Sequence, residues 1–211
     1  MSKNRTCIIT MLIQYNECLC SMRVWLASAS KRRKEMLLPL FHNLLCQALE
    51  LVDESSSADT VPGQILEICQ KKAAAVNNSQ DFDLIIVSDT MLQDPDFDNL
   101  AMGKADDAIQ AAALLHRLSG RRHRVWSATG IFHQGEWEFH LNQAIVEFEN
   151  LADELLVELV LNESWVGKAG SYDFAGDMGK FAKLVEGDEA TVLGIAGDAM
   201  VRLVELSDYE T

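Results

Sequence analysis

The run Leu84–Ile85–Ile86–Val87 constrains this chain more than any other stretch. Four consecutive apolar residues read as a strand buried on both faces, the pattern of a sheet interior rather than of a half-solvated ribbon. Ser88, Asp89 and Thr90 follow at once, so the sequence predicts a polar cluster at the end of a buried strand. Open α/β sheets bind their ligands at such strand ends.

The flanking sequence alternates strands and helices. Val24 to Ala27 is a short apolar strand ending in Ser28 to Ser30, and Ser30 is placed to cap a helix carrying Arg33, Met36 and Leu37. A polar stretch, Asp53 to Thr60, leads to Pro62 and a second helix whose apolar positions Ile65, Leu66, Cys69, Ala73 and Val76 keep helical spacing. Asp106 to Ser119 reads as a helix stopped by Gly120. His123–Phe132 and Trp137–Phe148 read as strands of a hairpin turning at Gln134 and Gly135. Asn150 is expected to cap a helix running to about Leu161. Gly167 to Gly179 reads as loop, Phe181 to Val185 as a strand and Gly197 to Leu206 as a closing helix. The expectation is an α/β fold: an elongated, mixed parallel and antiparallel sheet flanked by helices, with two lobes around a cleft. Residues 22–211 form a single domain on this reading, Met22 standing directly before the first strand. Residues 1–21 are expected to be a disordered extension, and they do not read as a signal peptide, because their short apolar run, Cys7 to Ile13, is followed by Gln14, Asn16 and Glu17 rather than by a cleavage site.

Composition narrows the function. With 211 residues the chain can bury a core without disulfides or metal, and its 48% apolar and 24% charged shares are those of a soluble protein. The net charge of −14 argues against generic binding to nucleic acid or to an anionic membrane. No segment reaches the roughly 20 apolar residues of a membrane span. A small anion is not excluded, since a local cation cluster dominates within a Debye length of roughly 8–10 Å. Five cysteines (Cys7, Cys18, Cys20, Cys46 and Cys69) without paired spacing predict neither a disulfide framework nor a zinc site, which fits a reducing cytoplasm.

Several residues qualify for chemistry. Ser28, Ser30, Arg32 and Arg33 combine helix-start amides with two guanidinium groups, a set that suits triphosphate oxygens, although Lys31 to Lys34 also fits a solvated helix start. The glycines of a Walker loop are missing. Asp89 is placed either to hold a divalent ion and orient a water or simply to cap a turn. Glu54, Lys72 and Lys104 taken singly read as surface charges. Asp94, Asp96 and Asp98 resemble the start of a calcium loop, but Asn99 stands where glycine is required and Ala105 where the bidentate Glu belongs, so they read as a solvated turn.

Taken together, the segments resemble the Maf family of nucleotide pyrophosphatases. LASASKRRKEML is similar to the family's opening motif, with Lys31 where proline is usual; VDESS is similar to its acidic loop and KKAAAV to its Lys-Ala helix. VSDT matches the Asp-Thr motif and MGKADDAIQAAALLHRLSGRRHRVWS the long central motif. NESWVGKAGSYDFAG and LVEGDEATVLGIAG match the two C-terminal motifs. The matches run in order over about residues 22 to 206.

The resemblance implies hydrolysis of a nucleoside triphosphate to the monophosphate and pyrophosphate with a divalent metal, Mg²⁺ or Mn²⁺, by a cytoplasmic homodimer. It implies that Ser28 and Arg33 contact phosphates and that Lys72 and Lys104 neutralise them, while Glu54 and Asp89 serve the metal and the attacking water, Asp89 as base or metal ligand. In the branch preferring dTTP and UTP, specificity goes with an arginine, a threonine and a loop glutamine. Arg32 and Thr90 match the first two, but Ala175 replaces the glutamine, behind Asp173 and Phe174. The pyrimidine branch is the nearer match, and Phe174 either stacks on a base or packs in the core. The alternative function is a nucleotide-binding regulator of cell division or septum formation with little turnover, which the changes at Ala175 and Lys31 favour and the retained Ser28, Arg33, Glu54, Lys72, Asp89 and Lys104 oppose.

Overall fold

The computed structural model describes residues 22–77, 79–163 and 165–208. The expected extension, residues 1–21, lies outside the described residues. In chain order the elements are β1 Val24–Leu26, α1 Lys31–Leu37, β2 Leu44–Cys46, α2 Val61–Ala74, β3 Leu84–Gln93, β4 Ala101–Met102, α3 Ala108–Leu118, β5 Arg122–His133, β6 Glu136–Phe148, α4 Asp153–Leu161, β7 Ala182–Glu186, α5 Glu189–Leu193 and α6 Gly197–Asp208.

One mixed sheet of seven strands organises them, in the order β2-β1-β3-β5-β6-β7, with β4 pairing to β3 beside this path. β1 lies parallel to both β2 and β3, and its register on β3 ends at Leu26 opposite Ile86. Every pairing from β3 through β5 and β6 to β7 is antiparallel. The expected mixed sheet flanked by helices is therefore present. Strand β3 differs from its expected length. It does not end at Val87 but runs on to Gln93, because β5 pairs with it over its whole course, Leu84 opposite His133 through Gln93 opposite Arg124. Asp89 thus sits in mid-strand. What ends after Ile86 is the parallel neighbour, and that lost neighbour is what opens the cleft.

Helices cover the sheet as the burial patterns require. On α2 the buried residues Val61, Ile65, Ile68, Cys69, Lys72 and Ala73 recur at helical spacing, so Lys72 belongs to the stripe that faces the sheet. Val24, Leu26, Leu84 and Ile86 pack with Leu37 of α1 and with Ala199, Leu203 and Leu206 of α6 in one apolar cluster. Ala27, Val87 and Ala128 pack under Ile65, Cys69 and Ala73 of α2 in another. A third joins α3 and α4 to the far ends of β5 and β6, around Leu115, Leu118, Val146, Phe148 and Tyr172. The first and third clusters form the cores of two lobes, with the cleft between them.

Two local expectations are corrected. The residue before α4 is Ala152, with no side-chain cap, so Asn150 does not cap it. The acidic turn is not solvated throughout, since Asp94 is buried and its carboxylate meets the Arg117 guanidinium at 2.6 Å, with Arg117 also reaching Asp96. Among the described residues no helix is long and apolar enough to cross a membrane.

Candidate active site

The cleft has a volume of about 880 Å³ and lies where β1 leaves β3. It is lined by Ser28, Arg32, Arg33, Glu54, Lys72, Asp89, Thr90, Lys104 and Ala175, so every sequence-predicted site residue reaches it.

Alternation along β3 divides these residues between two faces. Leu84, Ile86, Ser88 and Thr90 point toward α1, α5 and α6, whereas Val87 and Asp89 point toward α2. On the α2 face, Lys72 Nζ lies 2.9 Å from Glu54 Oε1 and 3.1 Å from Asp89 Oδ1. The lysine side chain is only 11% exposed and bridges a half-exposed carboxylate to a recessed one. Its neighbour Lys71 turns outward, where it binds Asp53 at 3.0 Å and the Ser55 carbonyl at 2.8 Å. Ser56 Oγ donates to Glu67 at 2.6 Å. These bonds staple the loop that carries Glu54 onto α2. The hydrogen bond from Ser55, backed by Lys71, holds the Asp53 carboxyl down at about 2, so the staple is charged at any physiological pH.

On the opposite face Arg33 is the hub. It follows from the Ser30 cap, whose side chain accepts from the Arg33 N–H, and from the i, i+4 pair Arg33 and Leu37 that turns inward. Its Nε donates to the Gly194 carbonyl at 2.7 Å, Nη1 to Ser28 Oγ at 3.1 Å and Nη2 to Thr90 Oγ1 at 3.0 Å. Gly194 permits this approach. Its φ is +116°, and a Cβ there would stand 3.0 Å from Arg33 Nε. Burial lowers the pKa of Arg33, and Asp89 works in the opposite direction. A guanidinium has five N–H groups, so two on Arg33 remain beyond these three bonds. Thr90 Oγ1 also pairs with Ser127 Oγ at 3.0 Å, which makes it a brace for Arg33. Ser28 Oγ accepts from both Arg33 and the Ser30 N–H, leaving its own hydrogen to donate.

The far wall comes from the other lobe. Lys104 is exposed there, its backbone bridged to Ala169, and Gly170 N–H donates to the Gly103 carbonyl at 3.0 Å. The glycine-rich loop is anchored by Tyr172, which is 4% exposed and hydrogen-bonds His123 Nε2 at 3.0 Å. Burial drives the His123 pKa down to about 3, so the imidazole is neutral, and it raises that of Tyr172.

Residues that sequence reasoning passed over also converge here. Asp173 lies 3.8 Å from Arg32 and 3.5 Å from Lys168. Nothing in the local sequence marks these partners, which lie far apart along the chain. Cys69, on the inward stripe of α2, is fully buried, and burial together with the Asp89 charge pushes its thiol up to about 12.

Cations gathered around two carboxylates, beside the end of parallel strands, define an α/β protein shaped to hold a polyanion in reach of acid–base groups. The chain belongs to the Maf-like protein family, whose model matches residues 23–206. It is 32% identical to a dTTP/UTP pyrophosphatase of Pyrococcus abyssi over 86% of this chain and 94% of that one. A dTTP/UTP pyrophosphatase of Dechloromonas aromatica is 29% identical, over 86% and 98% respectively. The Ham1 protein of Staphylococcus aureus, a solved structure, aligns over 59% of this chain and 71% of its own at 14% identity; with a TM-score of 0.40, that likeness carries no weight.

Proposed function

We propose that this chain is a nucleoside triphosphate pyrophosphatase, which releases pyrophosphate and leaves a nucleoside monophosphate. The observation that carries the reading is Lys72 held between Glu54 and Asp89 in an otherwise cationic cleft. Hydrolysis between the α and β phosphates needs a water in line with the departing pyrophosphate and positive charge around that group. Asp89 faces the cleft from a rigid strand and is the group placed to orient the water and take its proton. Lys72 and Lys104 face the phosphates from opposite walls, and Ser28 with the two remaining N–H groups of Arg33 completes the cradle.

The reading assigns Mg²⁺ or Mn²⁺ as cofactor. Glu54 Oε1 and Asp89 Oδ1 converge on one cationic point and are oxygen donors of the kind these ions prefer. Among the described residues no group of three or more His, Cys, Asp or Glu side chains converges for a metal. The two carboxylates would therefore share the ion with triphosphate oxygens and water, as is usual for Mg²⁺. When bound, the ion supplies charge neutralisation and a more acidic water. Following the family resemblance, we place the protein in the cytoplasm as a homodimer with a single catalytic domain.

The test is Asp89→Asn, a nearly isosteric change. Turnover is expected to fall at least about 100-fold, the scale of one general base, with thermal melting and nucleotide binding kept. An unchanged rate would remove Asp89 from the reaction. A second reading, a nucleotide-binding regulator with little turnover, draws on the Arg32–Asp173 ion pair across the cleft and on Ala175, which has no polar group for a base. Tight nucleotide binding by wild-type protein without pyrophosphate release would favour it.

A further inference from the structure

Where the glycine-rich loop lines the cleft, the lining changes character. Arg32 and Lys168 flank the carboxylate of Asp173, with Phe174 and Ala175 beside it. The apolar and aromatic lining here, Val166, Phe174 and Ala175, suits the nucleoside half of the substrate, with Arg33, Lys72 and Lys104 taking the triphosphate. Asp173 is well placed to read a base edge. Its side chain is 21% exposed, the two cations stand off at 3.8 and 3.5 Å, and the Ala175 N–H meets Oδ1 at 3.3 Å. Two carboxylate oxygens offer about four lone-pair positions, so acceptor capacity is left over. His123 and Tyr172 fix the residue before it in the core, which keeps the carboxylate from swinging away.

We propose that Asp173 and Arg32 together read the Watson–Crick edge of the base and select an exocyclic amino group beside a ring-nitrogen acceptor, the edge that cytosine presents, over the keto edge of uracil or thymine. The inference rests on the nucleotide reading of the cleft. An ionised carboxylate only accepts hydrogen bonds and a guanidinium only donates them. Side by side they match an amino donor next to an acceptor, as when Asp or Glu accepts from the cytosine amino group. Uracil reverses that order. Its O4 would face a carboxylate oxygen, and its N3–H would face Arg32. Ala175 offers no side-chain donor to relieve the mismatch.

The experiment compares CTP with UTP, which differ only at this edge, in the wild-type protein and in Asp173→Asn. The carboxamide adds a donor at the same position. Wild type is expected to show kcat/KM about 10-fold or more higher for CTP, the discrimination of one good edge contact. In Asp173→Asn that ratio is expected to collapse toward one or invert. The ratio within one sample does not depend on the folded fraction, so a partly unfolded variant still reports. Equal or UTP-favouring rates in wild type, or a ratio unmoved by the substitution, would overturn the inference and leave the hydrolase reading intact. Absence of turnover with both nucleotides would instead overturn the hydrolase reading. Calorimetric binding of CTP and UTP then decides the base preference by the same ratio, and equal affinities would end it.

Discussion

Single side chains here have roles that their residue types alone do not predict. Lys72 and Arg33 are buried cations, each on the inward stripe of its helix, and each is satisfied by partners from distant segments. His123 is the reverse case, an ionisable group kept neutral by burial. Its imidazole sits against Phe148 and Tyr172, Nδ1 has no partner among the described residues, and its pKa falls from 6.5 to about 3. Between those two pH values the unfolded chain binds a proton that the folded one does not. This contribution is therefore complete above pH 6.5 and declines as the pH falls toward 3. In urea unfolding, wild type is expected to lose about 1–2 kcal/mol between pH 7.5 and pH 5 through this group. His123→Phe is expected to lose markedly less over the same interval, while starting about 1 kcal/mol lower at pH 7.5 for want of the Tyr172 hydrogen bond. Equal pH dependence in the two proteins would show that His123 is not the titrating group.

Elements set which of these side chains meet. The stripe on α2 turns Lys72 inward and Lys71 outward, one to Asp89 and the other to the loop bearing Glu54. The glycine-rich segment has its own fixed contact, since a Cβ on Gly179 would stand 1.9 Å from the Phe174 carbonyl oxygen. Gly179→Ala is expected to displace residues 173–175, which would lower the melting temperature and shift the CTP-to-UTP ratio with little effect on the Asp89 end of the cleft. A changed melting temperature with an unchanged ratio would separate this segment from base selection. Much of this scale was legible in the sequence. The Ser30 cap, the α2 periodicity and the turn at Gln134 and Gly135, both in left-handed conformation, are local signals that the fold keeps. The continuation of β3 was not legible, because Ser88 and Thr90 resemble a strand end; the fold satisfies their hydroxyls through Thr129, Ser127 and Gly194. Three-residue β2 and five-residue α5 are too short to leave a periodic pattern. Glu54, Lys72 and Lys104 stood out only through motif resemblance, since their meaning lies in a convergence that no local window contains. The Arg32–Asp173 contact joins the two lobes and was legible in neither way.

Across the whole molecule, the charge that excludes a polyanion is locally reversed. The chain carries 18 Lys and Arg against 32 Asp and Glu, yet the cleft is lined by six of the former and four of the latter. Within the short screening distance of the site this local excess outweighs the global deficit. The two lobes have separate apolar cores and meet across that cleft, with the parallel strands on one side and the Lys104 wall on the other. The central claim is that this arrangement cleaves between the α and β phosphates. The most direct measurement is product analysis of nucleoside triphosphate hydrolysis in ¹⁸O-labelled water with Mg²⁺ or Mn²⁺, with Asp89→Asn as the blank. The account predicts equal amounts of monophosphate and pyrophosphate, formed at least about 100-fold more slowly by the variant. It further predicts the label in the monophosphate, because a water in line with departing pyrophosphate attacks the α-phosphorus. Formation of diphosphate and orthophosphate, or equal rates from wild type and Asp89→Asn, would contradict it.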